Sequence, residues 1–415
     1  MNTQNCCVDD CDDESISVAE ALRRIESDLT PITDSVQVSI DHALRRVLAQ
    51  DVHSPIHVPA FPNSAMDGYA LRHADISTYA RLSVVGTAFA GKPSVRSLQA
   101  GECLRIFTGA MLPEGADSVM MQEYVQIEGD SIQLTAPCTQ GQYVVNVGEN
   151  VQKGQIILHV GKKLLPADLG LLASLGITEV VVKRRLRVAY FSTGDEVCRL
   201  GEVPKPGQIY DSNRHSLAGL LKRLNIDGLD MGIIPDDPVA VEQALLQAAG
   251  DCDALITSGG VSVGEADFVT QVLQSIGELH FWKIAMKPGR PLTFGKIHKK
   301  AFFGLSGNPV SMMSTFYQFV QPALRHLQGQ QAVPALRFQV PCLSVLKKLQ
   351  GRVEFQRGIL APDAQGKLSV RSTGKQSASM LSSMSQANCF IVLPVECGDV
   401  AEGEMVWVEP FEGLI

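Results

Sequence analysis

Leu255-Ile256-Thr257-Ser258-Gly259-Gly260-Val261-Ser262-Val263-Gly264-Glu265-Ala266-Asp267 is the stretch whose reading decides the fold. The run Ala254 to Thr257 is apolar or β-branched and stops at two glycines. A buried parallel strand ends this way, in a turn that needs positive φ or bare backbone. Phe268, Val272 and Ile276 follow at helical spacing. Strand, glycine turn and helix form the crevice-side unit of an open α/β sheet, where backbone N–H groups meet an anionic ligand. Asp267 opens the helix, so the loop offers amides to an anion and a carboxylate to a metal or a hydroxyl. Lys283, Lys287, Pro288, Gly289 and Arg290 come next, then Ser306-Gly307-Asn308-Pro309 before a further helix. Anion donors, an acid and a cluster of cations this close together imply a phosphorylated ligand with a metal.

Upstream of this stretch the pattern is βαβα. Val188 to Phe191 reads as a strand, and Leu217, Leu220, Leu221 and Leu224 mark a helix. Gly232 to Ile234 ends a second strand, and Pro238 to Ala249 is a second helix. Such alternation implies a parallel sheet with right-handed crossovers. Acids recur at the strand ends: Glu196 after the first, Asp236 after the second and Asp267 after the third. In a parallel sheet these ends open on one edge, so the carboxylates converge. Convergent acids repel and need a cation, which Mg²⁺ with one or two carboxylates and substrate phosphate oxygens supplies. The alternative makes Asp236 and Asp267 helix N-caps and Glu196 a solvated surface acid.

The expected fold class is α/β plus β, in several domains. An acidic, disordered tail covers 1–14. A discontinuous α+β linking domain is assigned to 15–50 and 150–184, with a capping box at Ser17-Val18-Ala19-Glu20 and a second helix capped by Asp41 and carrying Leu44, Val47 and Leu48. Pro166 suits a first helical turn in its second half, with Gly176 as the stop. Residues 51–149 break into short β patterns divided by Pro and Gly, a β-rich insert. The α/β domain is 185–328. Residues 329–415 return to β texture, with strands near 337–340, 367–371 and 388–393, and are expected to form a C-terminal β-barrel or sandwich.

Composition bounds the function. The chain has 415 residues, 45% of them apolar, and a net charge of −8. With no long Lys/Arg run it is no general nucleic-acid binder, so any anion site is local. No apolar run approaches the roughly 18 residues of a membrane span, and the acidic N-terminus has no hydrophobic signal core, so a cytoplasmic protein is expected. Ten cysteines without a C-x-x-C pair read as reduced thiols, and Cys6, Cys7 and Cys11 as tail residues rather than a metal cluster.

Several familiar sites are excluded. Gly289 to Lys296 has five residues between its glycines and Ile297 where a Walker loop needs Ser or Thr. Gly304-Leu305-Ser306-Gly307-Asn308 lacks the last glycine of a nucleophile elbow, and His326 is the last histidine, so a Ser-acid-His order is not completed. Anion or diphosphate binding by its amides is the better role. His53 and His57 read as surface residues, and Asp67-Gly68 by itself as a hairpin turn.

Six ordered motifs carry a resemblance: Pro62 to Ala70 (Pro-Asn-Ser-Ala-Met-Asp-Gly-Tyr-Ala), Phe107 to Ala110, Ser192 to Glu196, Ser258 to Asp267, Met286 to Pro291 and Leu305 to Val310. Together they resemble the molybdopterin molybdenumtransferase family, which is related to the C-terminal domain of gephyrin. The resemblance runs from about residue 15 through nearly the whole chain. It implies an elongated four-domain homodimer that converts adenylylated molybdopterin and molybdate to molybdenum cofactor and AMP with Mg²⁺ or a similar ion. Its implied catalytic acids are Asp67, Glu196, Asp236 and Asp267, the last three as metal ligands. Its implied anion-binding positions are Thr108, Lys283, Lys287 and Arg357, beside Ser258, Gly259, Gly260, Arg290, Ser306, Gly307 and Asn308 from the reading of the turns. It also implies a cleft between the α/β domain of one subunit and the insert of the other. Implied partners are a molybdopterin adenylyltransferase and molybdoenzyme apoproteins or their chaperones, with no nucleic acid and no membrane. The chain departs from the family at Asn150, where Asp is common, and at Ala378, where Ser is common. Those two residues motivate an alternative, a non-catalytic paralogue that holds or delivers the cofactor. A molybdopterin adenylyltransferase, resting on the α/β domain alone, is the third reading.

Overall fold

The computed structural model describes residues 15–260 and 268–411. They divide into two compact units, one made of 37–44 and 48–181, the other of 15–36, 45–47 and 182–411. Ser17 caps the first helix, α1 (Val18–Asp28), by accepting the Glu20 N–H at 3.1 Å. The Glu20 carboxylate turns away to Arg23 and Arg24, so only half of the expected capping box forms. The second helix expected at Asp41 is absent. Asp41 sits in one short turn, Ile40–His42, and Arg45 takes a φ of 61°, a left-handed conformation that no helix continues through.

In the smaller unit six strands form one sheet: β1 (Gly68–Leu71), β2 (Leu82–Ala88), β3 (Glu102–Ile106), β4 (Ser118–Met121), β5 (Val125–Glu128) and β6 (Ser131–Leu134). Their order is β4-β1-β3-β2-β6-β5. Alternate residues of β1 supply two cores, Ala70 facing Leu104 and Val119 while Tyr69 and Leu71 join Met120 and Ile132. Gly68 opens β1 and does not form a hairpin turn; a Cβ there would run into the Met120 carbonyl. The expected helix appears as α2 (Pro166–Ser174), stopped by Gly176 at a φ of 71°.

The larger unit holds β7 (Arg187–Thr193), α3 (Asn213–Arg223), β8 (Asp227–Ile234), α4 (Pro238–Asp251), β9 (Ala254–Ser258), α5 (Phe268–Ile276), β10 (Glu278–Lys283), β11 (Pro291–Ile297), β12 (Lys300–Leu305) and α6 (Pro309–Thr315). The sheet order is β8-β7-β9-β12-β11-β10. The first four strands are parallel, as expected. The last two pairings are antiparallel: β11 runs against both neighbours, because His298 and Lys299, at φ 47° and 68°, close a tight hairpin into β12. One sheet face packs Val188, Tyr190, Ile256 and Phe303 with Leu217 of α3 and with Ala21 and Ile25 of α1. The other packs Ala189, Phe191, Leu255 and Phe302 against α4 and α5. Covered on both faces, the strands read as the near-continuous apolar runs seen in the sequence.

A second sheet of the same unit contains β13 (Phe338–Pro341), β14 (Val353–Pro362), β15 (Leu368–Ser372), β16 (Cys389–Leu393) and β17 (Met405–Pro410). Its order begins at Met286–Lys287 and continues β14-β16-β17-β13, with β15 on β14. A single bridge, Cys342 to Val370, joins the segment after β13 to β15. Val340, Val370, Ile391 and Val408 share its core. No helix among the described residues is long and apolar enough to cross a membrane.

Candidate functional site

Pairing register brings the carboxyl ends of the parallel strands to one edge. Thr193 lies opposite Ile234, Ser192 opposite Ser258, and Ser258 opposite Leu305. Lys283 ends β10 opposite Pro291, at this same edge, and Arg290 accepts the Ile284 N–H through its carbonyl at 2.7 Å. The turns that follow these ends carry most of the residues singled out in the sequence.

Two of the expected acids meet here. Gly194, at φ 132°, lets the Glu196 carboxylate fold back over its Cα, within 2.6 Å of where a Cβ would stand. Asp236 accepts backbone N–H bonds from Asp195 and Gly194, yet its carboxyl is pushed above the usual range, first by burial and then by the charges of Asp195 and Glu196. The N-cap of α4 is Asp237, which accepts the Ala240 N–H at 2.9 Å, so Asp236 is released from that structural duty. Asp267 lies outside the described residues. Among the described residues no three His, Cys, Asp or Glu side chains are arranged to hold a metal by themselves. Two carboxylates in mutual repulsion still fit a Mg²⁺ that takes its remaining ligands from water and substrate.

Two amides of the glycine turns are spent within the fold. The Gly259 N–H donates to the Leu305 carbonyl at 3.0 Å, and the Asn308 N–H to Ser306 Oγ at 3.2 Å, so neither amide is left to hold an anion. The glycines serve close approach: at Gly259, φ 95°, a Cβ would stand 2.5 Å from the Thr193 carbonyl, and one at Gly307 would touch Gly259. Asn213, at the start of α3, locks this contact. Its Nδ2 donates to Ser258 Oγ at 2.7 Å and to the Gly307 carbonyl at 2.8 Å, and Ser258 Oγ donates onward to the Ser306 carbonyl at 3.3 Å. Asp211 anchors the same helix end, accepting from Ser192 Oγ at 3.0 Å and from the Arg214 N–H and Nε at 3.1 and 2.9 Å.

Lys287 and Arg357 line one cavity of about 290 Å³ with Lys347, Glu354, Gln356 and Gln376. Lys287 Nζ stands 3.5 Å from the Glu354 carboxylate. Arg357 is 1% exposed, and its guanidinium donates to Ser383 Oγ at 3.1 Å and to the Ser377 carbonyl at 2.9 Å. Burial pulls its pKa down to about 10. At the Ala378 departure the backbone carbonyl accepts the Val310 N–H, and the flanking Ser377 and Ser379 hydroxyls lie 3.1 Å apart.

Asp67 and Thr108, both in the smaller unit, form a pair. Asp67 Oδ1 accepts the Thr108 N–H and its hydroxyl, each at 2.8 Å. Those two bonds, the backbone one first, hold its carboxyl below the usual range, with Arg105 nearby. Asn150 donates its N–H to the Val58 carbonyl at 3.0 Å. His53 and His57 are exposed, as expected. The described cysteines are free thiols, and Cys6, Cys7 and Cys11 lie outside the described residues.

Three family descriptions match the chain: "MoeA N-terminal region (domain I and II)" over residues 16–176, "Probable molybdopterin binding domain" over 189–326, and "MoeA C-terminal region (domain IV)" over 339–411. A Haemophilus influenzae protein named molybdopterin molybdenumtransferase is 44% identical over 402 residues, covering 96% of this chain and all 100% of its own length. The chain belongs to the MoeA family. A gephyrin from Dictyostelium discoideum is 34% identical over 94% of this chain and 61% of its own. A solved structure of a MoeA protein from Pyrococcus horikoshii OT3 superposes with a TM-score of 0.83 at 30% identity, covering 96% of this chain and 100% of that one.

For a MoeA chain, the sequence reading left out Asp211 and Asn213. Their signal was present in Asp211-Ser212-Asn213, three polar residues of helix-capping type before the Leu217 stripe. Capping propensity alone does not reveal that Asn213 reaches two distant turns.

Proposed function

We propose that the protein inserts molybdenum from molybdate into adenylylated molybdopterin, forming molybdenum cofactor and releasing AMP in a Mg²⁺-dependent reaction. The observation that carries this reading is the single sheet edge where Glu196 and Asp236 share a rim with the interlocked Ser258–Gly259 and Ser306–Gly307 turns and with Lys283 and Arg290. Family membership supports it, since the Haemophilus relative bears the name of this activity.

In this reading Lys283 and Arg290 offset the diphosphate charge of the adenylylated pterin, and the turns fix its position. A divalent ion held by Glu196 and Asp236 would supply further charge neutralisation at the departing phosphate. The Lys287–Arg357 cavity suits molybdate, because a small dianion finds three cations there, Lys287, Lys347 and Arg357, and one carboxylate, already facing Lys287. Arg357, already satisfied by Ser383 and Ser377, keeps its charge fixed without reorganising. Asp67, ionised and oriented by Thr108, is assigned to substrate binding. No protein nucleophile is required. The C-terminal sheet is read as a barrel closed through the Cys342–Val370 bridge, the assembly as a homodimer, and the location as cytoplasmic.

The test is AMP release by the purified full-length protein given adenylylated molybdopterin, molybdate and MgCl₂. Stoichiometric AMP that disappears with EDTA is expected, with at least a hundredfold loss in Glu196→Gln and Asp236→Asn. Absence of AMP above background from the unmodified protein, with ligand binding intact, would favour the cofactor-holding alternative instead. Sedimentation velocity at micromolar concentration tests the homodimer.

A further inference from the structure

We propose a second oxyanion site, for inorganic phosphate or the phosphate of a small monoester, formed by Arg45, Arg46, Lys183 and Arg185 at the opposite edge of the α/β sheet. Arg185 and Arg187 stand where β7 begins, and the candidate functional turns stand where it ends. A strand of that length separates the two edges by roughly 20 Å. The site is therefore distinct from the one described above and does not rest on the proposed reaction.

In a chain of net charge −8, five cations crowd one cleft: Arg45, Arg46, Lys183, Arg184 and Arg185. Arg184 is matched, with Asp253 at 2.7 Å and Asp34 at 2.9 Å. Arg185 has Asp227 at 3.4 Å. Among the described residues no carboxylate comes within ion-pair distance of Arg45, Arg46 or Lys183. Arg46 donates to the Lys183 carbonyl at 2.8 Å and Lys183 Nζ to the Ile32 carbonyl at 2.9 Å, and Asp227 acts on Arg46 only through its charge. Burial, then the neighbouring Arg185, pushes the Arg46 guanidinium below its ordinary pKa. Five cations against three carboxylates, Asp34, Asp227 and Asp253, leave an excess of positive charge, which a bound anion with charge-assisted hydrogen bonds offsets.

The backbone is arranged to keep the cations there. Arg45 and Asn225 both adopt left-handed conformations, φ 61° and 59°, and Asn225 Nδ2 donates to the Arg45 carbonyl at 3.4 Å. The cleft holds about 10 Å³, near the volume swept by a single water-sized probe, so one oxygen of a tetrahedral head group enters it and the rest stays at its mouth. Guanidinium forks suit a phosphate face better than a lone ammonium does.

The experiment is calorimetric titration of inorganic phosphate, at constant ionic strength, into full-length Lys287→Ala protein, which lacks a cation of the other anion cavity. One saturable site is expected. Adding Arg45→Glu and Arg185→Glu, both at exposed positions, should raise its Kd at least tenfold while the thermal midpoint stays near that of the parent. Arg46→Lys, which keeps the charge but not the fork, should weaken it severalfold. Glycerol phosphate is titrated in parallel: binding as tight as inorganic phosphate points to a monoester, and binding of inorganic phosphate alone to the free ion. Absence of saturable heat, or a Kd within twofold after the double reversal, overturns the proposal.

Discussion

Asn213 commits both amide hydrogens to other turns, and the Gly307 carbonyl, which only accepts, fixes which way the amide faces. Among the described residues its own Oδ1 is buried without a partner. Asn213→Ala removes both bonds and leaves a buried carbonyl unmet, a cost of about 1–3 kcal/mol. Asn213→Asp sets a carboxylate against the same carbonyl and should be worse. The expected result is a KM for adenylylated molybdopterin raised about tenfold in Ala and more in Asp, read from steady-state AMP release. Asp236 gives a pH prediction. Its carboxyl titrates higher in the folded protein than in the unfolded chain, so the folded state holds the proton longer. Stability is then lost as pH rises from the ordinary carboxyl range through the folded pKa. Asp236→Asn escapes that loss. Without divalent ions at pH 7 its larger unit should melt roughly 1 °C higher than wild type, a small shift because the site is only half-buried. MgCl₂ should raise the wild-type midpoint and move that of the variant less; equal responses would remove Asp236 from the metal proposal.

At the scale of elements, what the sequence made legible was the parallel core. Ala254 to Ser258 is buried throughout, so its apolar run and glycine stop were read directly, as was the helix that carries Leu217. The antiparallel edge was hidden because its hairpin carries His298-Lys299 in place of the Asn-Gly pair that announces such a turn. Asp41 misled for the opposite reason: a good capping residue precedes apolar spacing, but Arg45 reverses the chain before a helix can form. β14 was missed although it is the longest strand of its sheet, since Arg357 and Gln356 interrupt its apolar pattern and are nevertheless buried. Of the site, the acids and cations were legible by type, while the turn-to-turn bonds of Asn213 depend on long-range packing. The hairpin offers a test at this scale. Side chains at left-handed φ cost about 1 kcal/mol each relative to residues that favour it. His298→Asn with Lys299→Gly should stabilise the larger unit by about 1 kcal/mol in urea unfolding; a loss of stability would show that the two side chains contribute more by contact than their backbone costs.

At the scale of the whole molecule, each unit has a core of its own. Leu104, at 1% exposure, packs with Ala70, Ile106 and Val119 of the smaller unit. Leu255, at 0%, packs with Ala189, Phe191 and Phe302 of the larger. Each unit encloses a core of its own, and chains built of several such units commonly unfold in more than one step. Heating the full-length protein in a calorimeter should resolve at least two transitions. Leu104→Ala and Leu255→Ala each leave a cavity worth about 2–5 kcal/mol, which lowers the midpoint of its own unit by roughly 5–15 °C and leaves the other within about 2 °C. If both substitutions instead moved one common transition by similar amounts, the two units would be thermodynamically one body. A change in the smaller unit would then reach Glu196 and Asp236 through global stability, and activity losses in Asp67 variants would have to be read against their melting points before any role in binding was assigned.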